Sequence, residues 1–327
     1  MKNIAIILLM ACSIMACEKA LIPNIETSNK NIFEELWQHV DEHYIYFDVK
    51  QVDWDKVYTQ YAPLIREDMS EVELFDICAE MLATLKDGHN VLISRDTLNA
   101  YDFRTGYEVV FDPEIVRKNY LNNTFEEKGN FTYGIAEGNI GYVHFKDFKG
   151  TRDMETVVAF MLDKKVDGLV FDIRSNGGGR DAERIVKYFI QEPTLVGYNI
   201  EKTGKGHTDF SENLSFIVQP DNDLYFDKPV KILINRGSFS ASTYFAGMMK
   251  HLPNSTLIGQ ITGGGGGGNA AYQLPNDWVV FVSVGTFLDI NLEDIEEGVT
   301  PHIDLNNDPE KLADGVDDIL ERALADF

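Results

Sequence analysis

The chain is short of cysteine, of positive charge and of long apolar runs. It has three cysteines in 327 residues, Cys12, Cys17 and Cys78. Cys12 sits inside the N-terminal apolar run and is expected to leave with it, so no disulfide framework is available. Cys78 falls on the apolar face of a predicted helix, where packing is its expected role. Lys and Arg number 29 against 53 Asp and Glu, a formal net charge of −24. Such a chain has nothing to neutralise phosphates, which excludes a nucleic-acid partner. Metal chemistry has no visible ligand set: H-E-x-x-H is absent, and His39 and His43, four apart, lack an evident third ligand. Neither nucleotide-binding glycine pattern occurs. No cofactor is implied.

The longest apolar run, Ile4–Met15, follows Lys2 and is too short to span a bilayer comfortably. It reads as a secretory signal over residues 1–16. The Ala16-Cys17 junction resembles a bacterial lipobox, which implies a lipid on Cys17 and an anchored protein of the bacterial cell envelope, on the periplasmic side or at the cell surface. A polar tether, 17–30, follows.

From Asn31 the apolar spacing is helical. Phe33, Leu36, Trp37 and Val40 share one face, Trp54–Ile65 supplies a second helix, and Ser70 with Glu73 forms a capping box for a third. Residues 31–90 therefore read as a helical bundle. The third helix runs into Lys86-Asp87-Gly88-His89, with Gly88 suited to a left-handed stop. Residues 91–327 alternate strand and helix, an α/β pattern with crossovers. Within it His144 is expected on an exposed face with Tyr142 and Lys146, and 309–325 is expected as one closing helix.

Three stretches bear chemistry. Ser240 stands where the strand Lys231–Asn235 hands over to a helix, and a hydroxyl there can attack a carbonyl beside unpaired N–H groups. A helix cap is the plain alternative, shared with Ser238 and Ser242. Arg174-Ser175-Asn176-Gly177-Gly178-Gly179 follows a buried strand and suits an oxyanion-binding turn. Six consecutive glycines, 263–268, are either a backbone wall or a mobile flap, and the flap is the expectation.

These stretches, with Asp87-Gly88-His89 and the turn Gly298-Val299-Thr300-Pro301, resemble in order the tail-specific and C-terminal processing serine peptidases, tricorn core included, here without room for a PDZ domain. The resemblance implies a Clp-protease/crotonase-like core of strand–strand–helix units behind the bundle. It implies Ser240 as nucleophile, His89 as general base, and an oxyanion hole from Ala241 and Gly178, or else Gly177. No lysine lies near Gly265, where the Ser–Lys form of the family places one. The tricorn-like form orients its histidine by a glutamate a few residues before Gly298: Glu296, with Glu297 second and Asp87 as a substitute. Gly88 occupies the place of that form's relay serine, and His302 stands where an Asp is usual. The implied substrate is an extended or unfolded polypeptide, hydrolysed without metal or cofactor. The competing reading is a catalytically impaired, peptide- or ligand-binding lipoprotein on the same fold.

Overall fold

Ser28 starts the first helix: its hydroxyl accepts the Asn31 N–H at 3.2 Å. The computed structural model describes residues 27–94, 100–102, 110–221 and 223–327. The expected signal, Cys12 and Cys17 lie outside the described residues. Four helices follow one another: α1 (Asn29–His43), α2 (Phe47–Lys50), α3 (Trp54–Tyr61) and α4 (Glu71–Ala83). The second expected helix stops at Tyr61 and continues only as a 3₁₀ turn, Ala62–Leu64. Pro63 has no N–H to donate and crowds the preceding turn. The capping box at Ser70 and Glu73 is formed, and α4 buries Leu74, Phe75, Cys78, Met81 and Leu82. Burial pushes the Cys78 thiol up to about 12.

The remaining elements are β1 (Val91–Ile93), β2 (Ala100–Asp102), α5 (Pro113–Ile115), β3 (Phe125–Lys128), β4 (Phe131–Ala136), β5 (Ile140–Phe145), α6 (Met154–Lys164), β6 (Gly168–Asp172), α7 (Glu183–Val186) and β7 (Thr194–Glu201). After them come β8 (Leu214–Val218), β9 (Val230–Ile234), α8 (Ala241–Lys250), β10 (Ser255–Gly259), β11 (Asn269–Gln273), β12 (Val279–Ser283), β13 (Gly285–Leu288), β14 (Ile303–Asp304), α9 (Pro309–Ala313) and α10 (Asp318–Ala325).

A seven-stranded sheet in the order β14-β10-β9-β6-β5-β4-β3 forms the centre. Its first five strands run parallel, and β4 and β3 close it antiparallel. Parallel strands are covered on both faces, which is why β6 is buried at every position. One face packs on α6, α7 and α8 through Val157, Ile185 and Phe245; the other meets Ile319, Leu320 and Ala323 of α10. Two smaller antiparallel sheets flank the site, β11-β12-β1-β2 and β13-β7-β8. The first of these packs on the helical bundle: Leu92, Trp278, Val280 and Val282 share a core with Leu36, Val40 and Leu82. The bundle is thereby fixed against the loops around α8.

Three local expectations are corrected. The left-handed residue after α4 is Lys86, at φ 50°, and Gly88 is not among the positive-φ positions. Tyr142 is buried, donating to Asp172 at 2.8 Å, and His144 packs on Phe111 with ring centroids 5.3 Å apart. Burial lowers the pKa of His144. The C-terminal helix is broken in two at Asp314–Asp317, where Gly315 turns at φ 91° and Asp317 caps α10.

Candidate active site

The three serines at the start of α8 have separate jobs. Ser238 donates to the Ile173 carbonyl at 2.7 Å and accepts the Asn235 N–H at 3.1 Å. Ser242 donates to the Asn176 carbonyl at 2.7 Å. Ser240 makes no capping bond and sits at φ 56°, ψ −120°, a region that costs a residue with a side chain roughly 1–3 kcal/mol. The surroundings hold it there: its N–H donates to the Gly264 carbonyl at 2.9 Å, and its carbonyl accepts the Tyr244 N–H at 3.0 Å. The plain cap reading fails for Ser240, whose hydroxyl faces His89 instead. His89 Nε2 lies 2.9 Å from Ser240 Oγ, across 151 residues of sequence.

His89 is placed by what surrounds its main chain and ring. The Asp87 carboxylate accepts the His89 N–H at 2.7 Å and the Ser283 hydroxyl at 2.8 Å. The Phe239 ring meets the imidazole edge-on, 4.9 Å between centroids. A β-carbon on Gly265 would come within 3.1 Å of His89 Cε1.

The glycine run is a wall, not the expected flap. Gly264, Gly265, Gly266 and Gly267 are buried. Gly263 donates to Ser238 O at 2.7 Å, Gly265 to Glu296 O at 3.0 Å, and Gly266 to Glu296 Oε2 at 2.9 Å. At Gly263, Gly264, Gly266 and Gly267 the approach of other backbone leaves no space for a side chain: a β-carbon on Gly264 would meet Glu296 O at 2.1 Å. Tertiary hydrogen bonds offset the entropy that local preference cannot.

Glu296 lies behind this wall and is buried. Lys50 Nζ stands 3.1 Å from its Oε1 and 2.5 Å from Glu297 Oε1, which is at the surface. Burial and the Asp87 carboxylate push the Glu296 carboxyl up to about 8, while Lys50 pulls the other way. The Lys50 ammonium, penalised by burial but drawn up more strongly by Glu296 and Glu297, is raised. The sequence did not mark Lys50: a lysine ending a four-residue helix carries no pattern.

The oxyanion candidates differ from one another. Ala241 opens α8, where the first N–H groups lack intrahelical acceptors. Gly178 turns at φ 94° and packs against Ser240, where a β-carbon would meet Ser240 Cβ at 2.8 Å. Its N–H donates to Asn176 Oδ1 at 3.0 Å. No atom lies within 4 Å of where a Gly177 β-carbon would sit. Asn176 is the member sequence reasoning overlooked: buried, it also donates to Phe145 O at 2.8 Å and accepts Phe239 N–H at 3.0 Å. Its place inside an R-S-N-G-G-G turn is the signal that was available.

A cleft of about 830 Å³ opens in front of Ser240 and His89. Tyr244 and Met248 of α8 and Phe216 of β8 give it an apolar side, while Arg180, Glu201 and Lys202 give it a charged one. His43 reaches its rim, where its ring stands 4.4 Å from that of Tyr272. His302 is elsewhere, its Nδ1 accepting the Leu257 N–H at 2.9 Å. Among the described residues no group of His, Cys, Asp and Glu could hold a metal ion, and no helix is long and apolar enough to cross a membrane.

Comparison with known proteins adds the lineage. Residues 139–305, about half of the chain, match the model of peptidase family S41, and residues 25–83 match the tricorn protease C1 domain. A carboxyl-terminal-processing protease of Synechocystis is 25% identical over 192 residues, 58% of this chain and 39% of the relative. The carboxy-terminal processing protease CtpA of Bacillus subtilis is 26% identical over 174 residues, 52% of this chain and 35% of the relative. The matched segments thus span well under half of these relatives' own length. A crystal structure from Parabacteroides merdae, described as a candidate peptidase, is 36% identical with TM-score 0.84, covering 92% of this chain and 96% of that one. The photosystem II D1 C-terminal processing protease shares the fold, at 18% identity and TM-score 0.58, over 86% of this chain and 94% of its own.

Proposed function

The chain belongs to peptidase family S41, and on that footing we propose that it is a serine endopeptidase cleaving extended or unfolded polypeptides through an acyl-enzyme on Ser240. The observation that carries this reading is the 2.9 Å contact between His89 Nε2 and a serine hydroxyl held in a strained turn at a helix start.

His89 takes the Ser240 proton as Oγ attacks the scissile carbonyl, then returns it to the leaving amine; a water repeats the sequence in reverse to free the acid. The Ala241 N–H and one N–H of the glycine loop hold the oxyanion, a contribution of roughly 3–4 kcal/mol per donor. Gly177 or Gly178 supplies the second donor, and Gly178 serves if its N–H turns away from Asn176 Oδ1. Asp87 fixes the main chain of His89. Glu296 acts one layer further back, through the glycine run that packs on the imidazole.

The polypeptide lies along the cleft between α8, β7 and the exposed edge strand β11, where main-chain hydrogen bonds would add it as a strand. The lipobox-like Ala16-Cys17 supports a lipid anchor on Cys17 that holds the enzyme in the bacterial cell envelope.

A fluorophosphonate probe tests the reading. Wild type takes the label on Ser240, Ser240→Ala does not, and His89→Ala takes it far more slowly. Peptide binding with neither labelling nor Ser240-dependent cleavage would instead indicate a binding protein built on a peptidase fold.

A further inference from the structure

Lys50 ties together three segments that meet only at the site. Its ammonium has three donors, and each has an acceptor: Glu296 Oε1 at 3.1 Å, Glu297 Oε1 at 2.5 Å and the Lys86 carbonyl at 3.3 Å. Lys86 immediately precedes Asp87-Gly88-His89. Glu296 holds the glycine run twice, by its carbonyl on Gly265 and its carboxyl on Gly266. The run in turn borders both reacting residues: Gly264 O accepts the Ser240 main-chain N–H, and Gly265 faces the His89 ring, where a β-carbon would come within 3.1 Å of Cε1. The Lys50 side chain is 7% exposed, and the Glu296 carboxyl it meets is buried as well. It is the cation placed among the carboxylates of Asp87, Asp294, Glu296 and Glu297.

We propose that Lys50 is a positioning residue of the catalytic centre: delivered by the N-terminal helices, it holds Glu296 against the glycine run and the Lys86 carbonyl at the head of the His89 segment, and so keeps His89 in register with Ser240. The role rests on the peptidase reading. It assigns the helical bundle a part in catalysis, because the α/β core alone lacks this cation. Without it the buried Glu296 carboxyl loses the ammonium that donates to its Oε1, and the wall it holds is free to shift.

The test is the second-order rate of fluorophosphonate labelling at Ser240 in the full chain, measured on protein whose near-ultraviolet circular dichroism matches wild type. Lys50→Met is expected to label about ten-fold more slowly or worse, since misplacement by a fraction of an ångström is costly in such a site. On a fluorogenic peptide the loss falls on kcat and leaves KM within a factor of about two. Lys50→Met combined with Glu296→Gln is expected to recover most of the rate, because the carboxamide oxygen still accepts the Gly266 N–H while its NH2 group needs no donor where the ammonium stood. If Lys50→Met does not fold, Lys50→Gln, which keeps N–H donors, takes its place in the same comparison. Folded Lys50 variants that label at the wild-type rate, or a double variant no faster than the single, would overturn the assignment. Wild type labelling no faster than Ser240→Ala would instead remove the peptidase reading itself.

Discussion

Gly265 faces the imidazole of His89, leaving His89 Cε1 only 3.1 Å from the place a β-carbon on Gly265 would occupy. The same β-carbon would stand 2.6 Å from the Phe239 ring, at a residue with φ 73°. The glycine wall is therefore one side of the socket in which the base sits.

Gly265→Ala should accordingly damage activity more than its size suggests. Both neighbours must move, and the left-handed backbone is strained by any side chain. The expected result is a destabilisation of about 1–3 kcal/mol with a labelling rate at Ser240 at least ten-fold lower. Denaturant melts and fluorophosphonate kinetics check the two parts, and an alanine variant labelling like wild type would show that the wall does not set the imidazole.

The strain at Ser240 gives a second expectation, one that separates stability from function. Ser240→Gly and Ser240→Ala both lose hydrolysis, but the glycine variant relaxes at φ 56° while the alanine variant does not. The glycine variant should be the more stable by roughly 1 kcal/mol, despite the larger entropy glycine loses on folding. Thermal melts of the two proteins decide it. The reverse order would mean that the turn is unstrained and that the serine backbone geometry has no catalytic significance.

Glu296 predicts a pH dependence of stability. Its folded value of about 8 lies above the ordinary 4.5, so between these the folded protein keeps a proton that the unfolded chain has released. The folded state binds more protons, and stability must fall as pH rises through that window. The loss is on the order of a few kcal/mol and levels off above the folded value. Glu296→Gln, which cannot ionise, should flatten that part of the stability–pH curve between about pH 5 and pH 8. Curves with the same slope for both proteins would mean that Glu296 is ionised throughout.

Asn176 is expected to matter to catalysis without touching substrate. Asn176→Ala leaves the Phe145 carbonyl without its donor and releases the Gly178 N–H from its acceptor. A cost of about 1–3 kcal/mol in stability follows from the unpaired buried group. The loosened loop should lower kcat while KM changes little, because the oxyanion forms only in the transition state. Michaelis kinetics on one peptide suffice, and a KM effect alone would place the loop in substrate binding.

How much of this was legible beforehand depended on the range of the interaction. The capping box at Ser70 and Glu73, the buried strand Gly168–Asp172, and the strand-to-helix handover at Ser240 are written within a few residues, and periodicity or side-chain chemistry exposed them. The helix break at Gly315 and the left-handed turn at Lys86 went unread, because a single φ choice leaves little trace in composition. The glycine run misled for a related reason: its sequence speaks only of entropy, whereas its order comes from Glu296, Ser238 and Phe287, each far away along the chain.

The sequence by itself determined the architecture, the family likeness and the identity of the reactive groups, since each depends on local pattern or on residues in a fixed order. Only the tertiary structure decided that His89 reaches Ser240, that Ser240 leaves the capping role unfilled, that the glycines are a wall, and that Lys50 sits on Glu296. Those four facts concern distances between segments up to 246 residues apart in number, from Lys50 to Glu296. Such distances are set by packing of the bundle, the β11-β12-β1-β2 sheet and the core against one another, and packing is a property of surfaces that no local pattern contains.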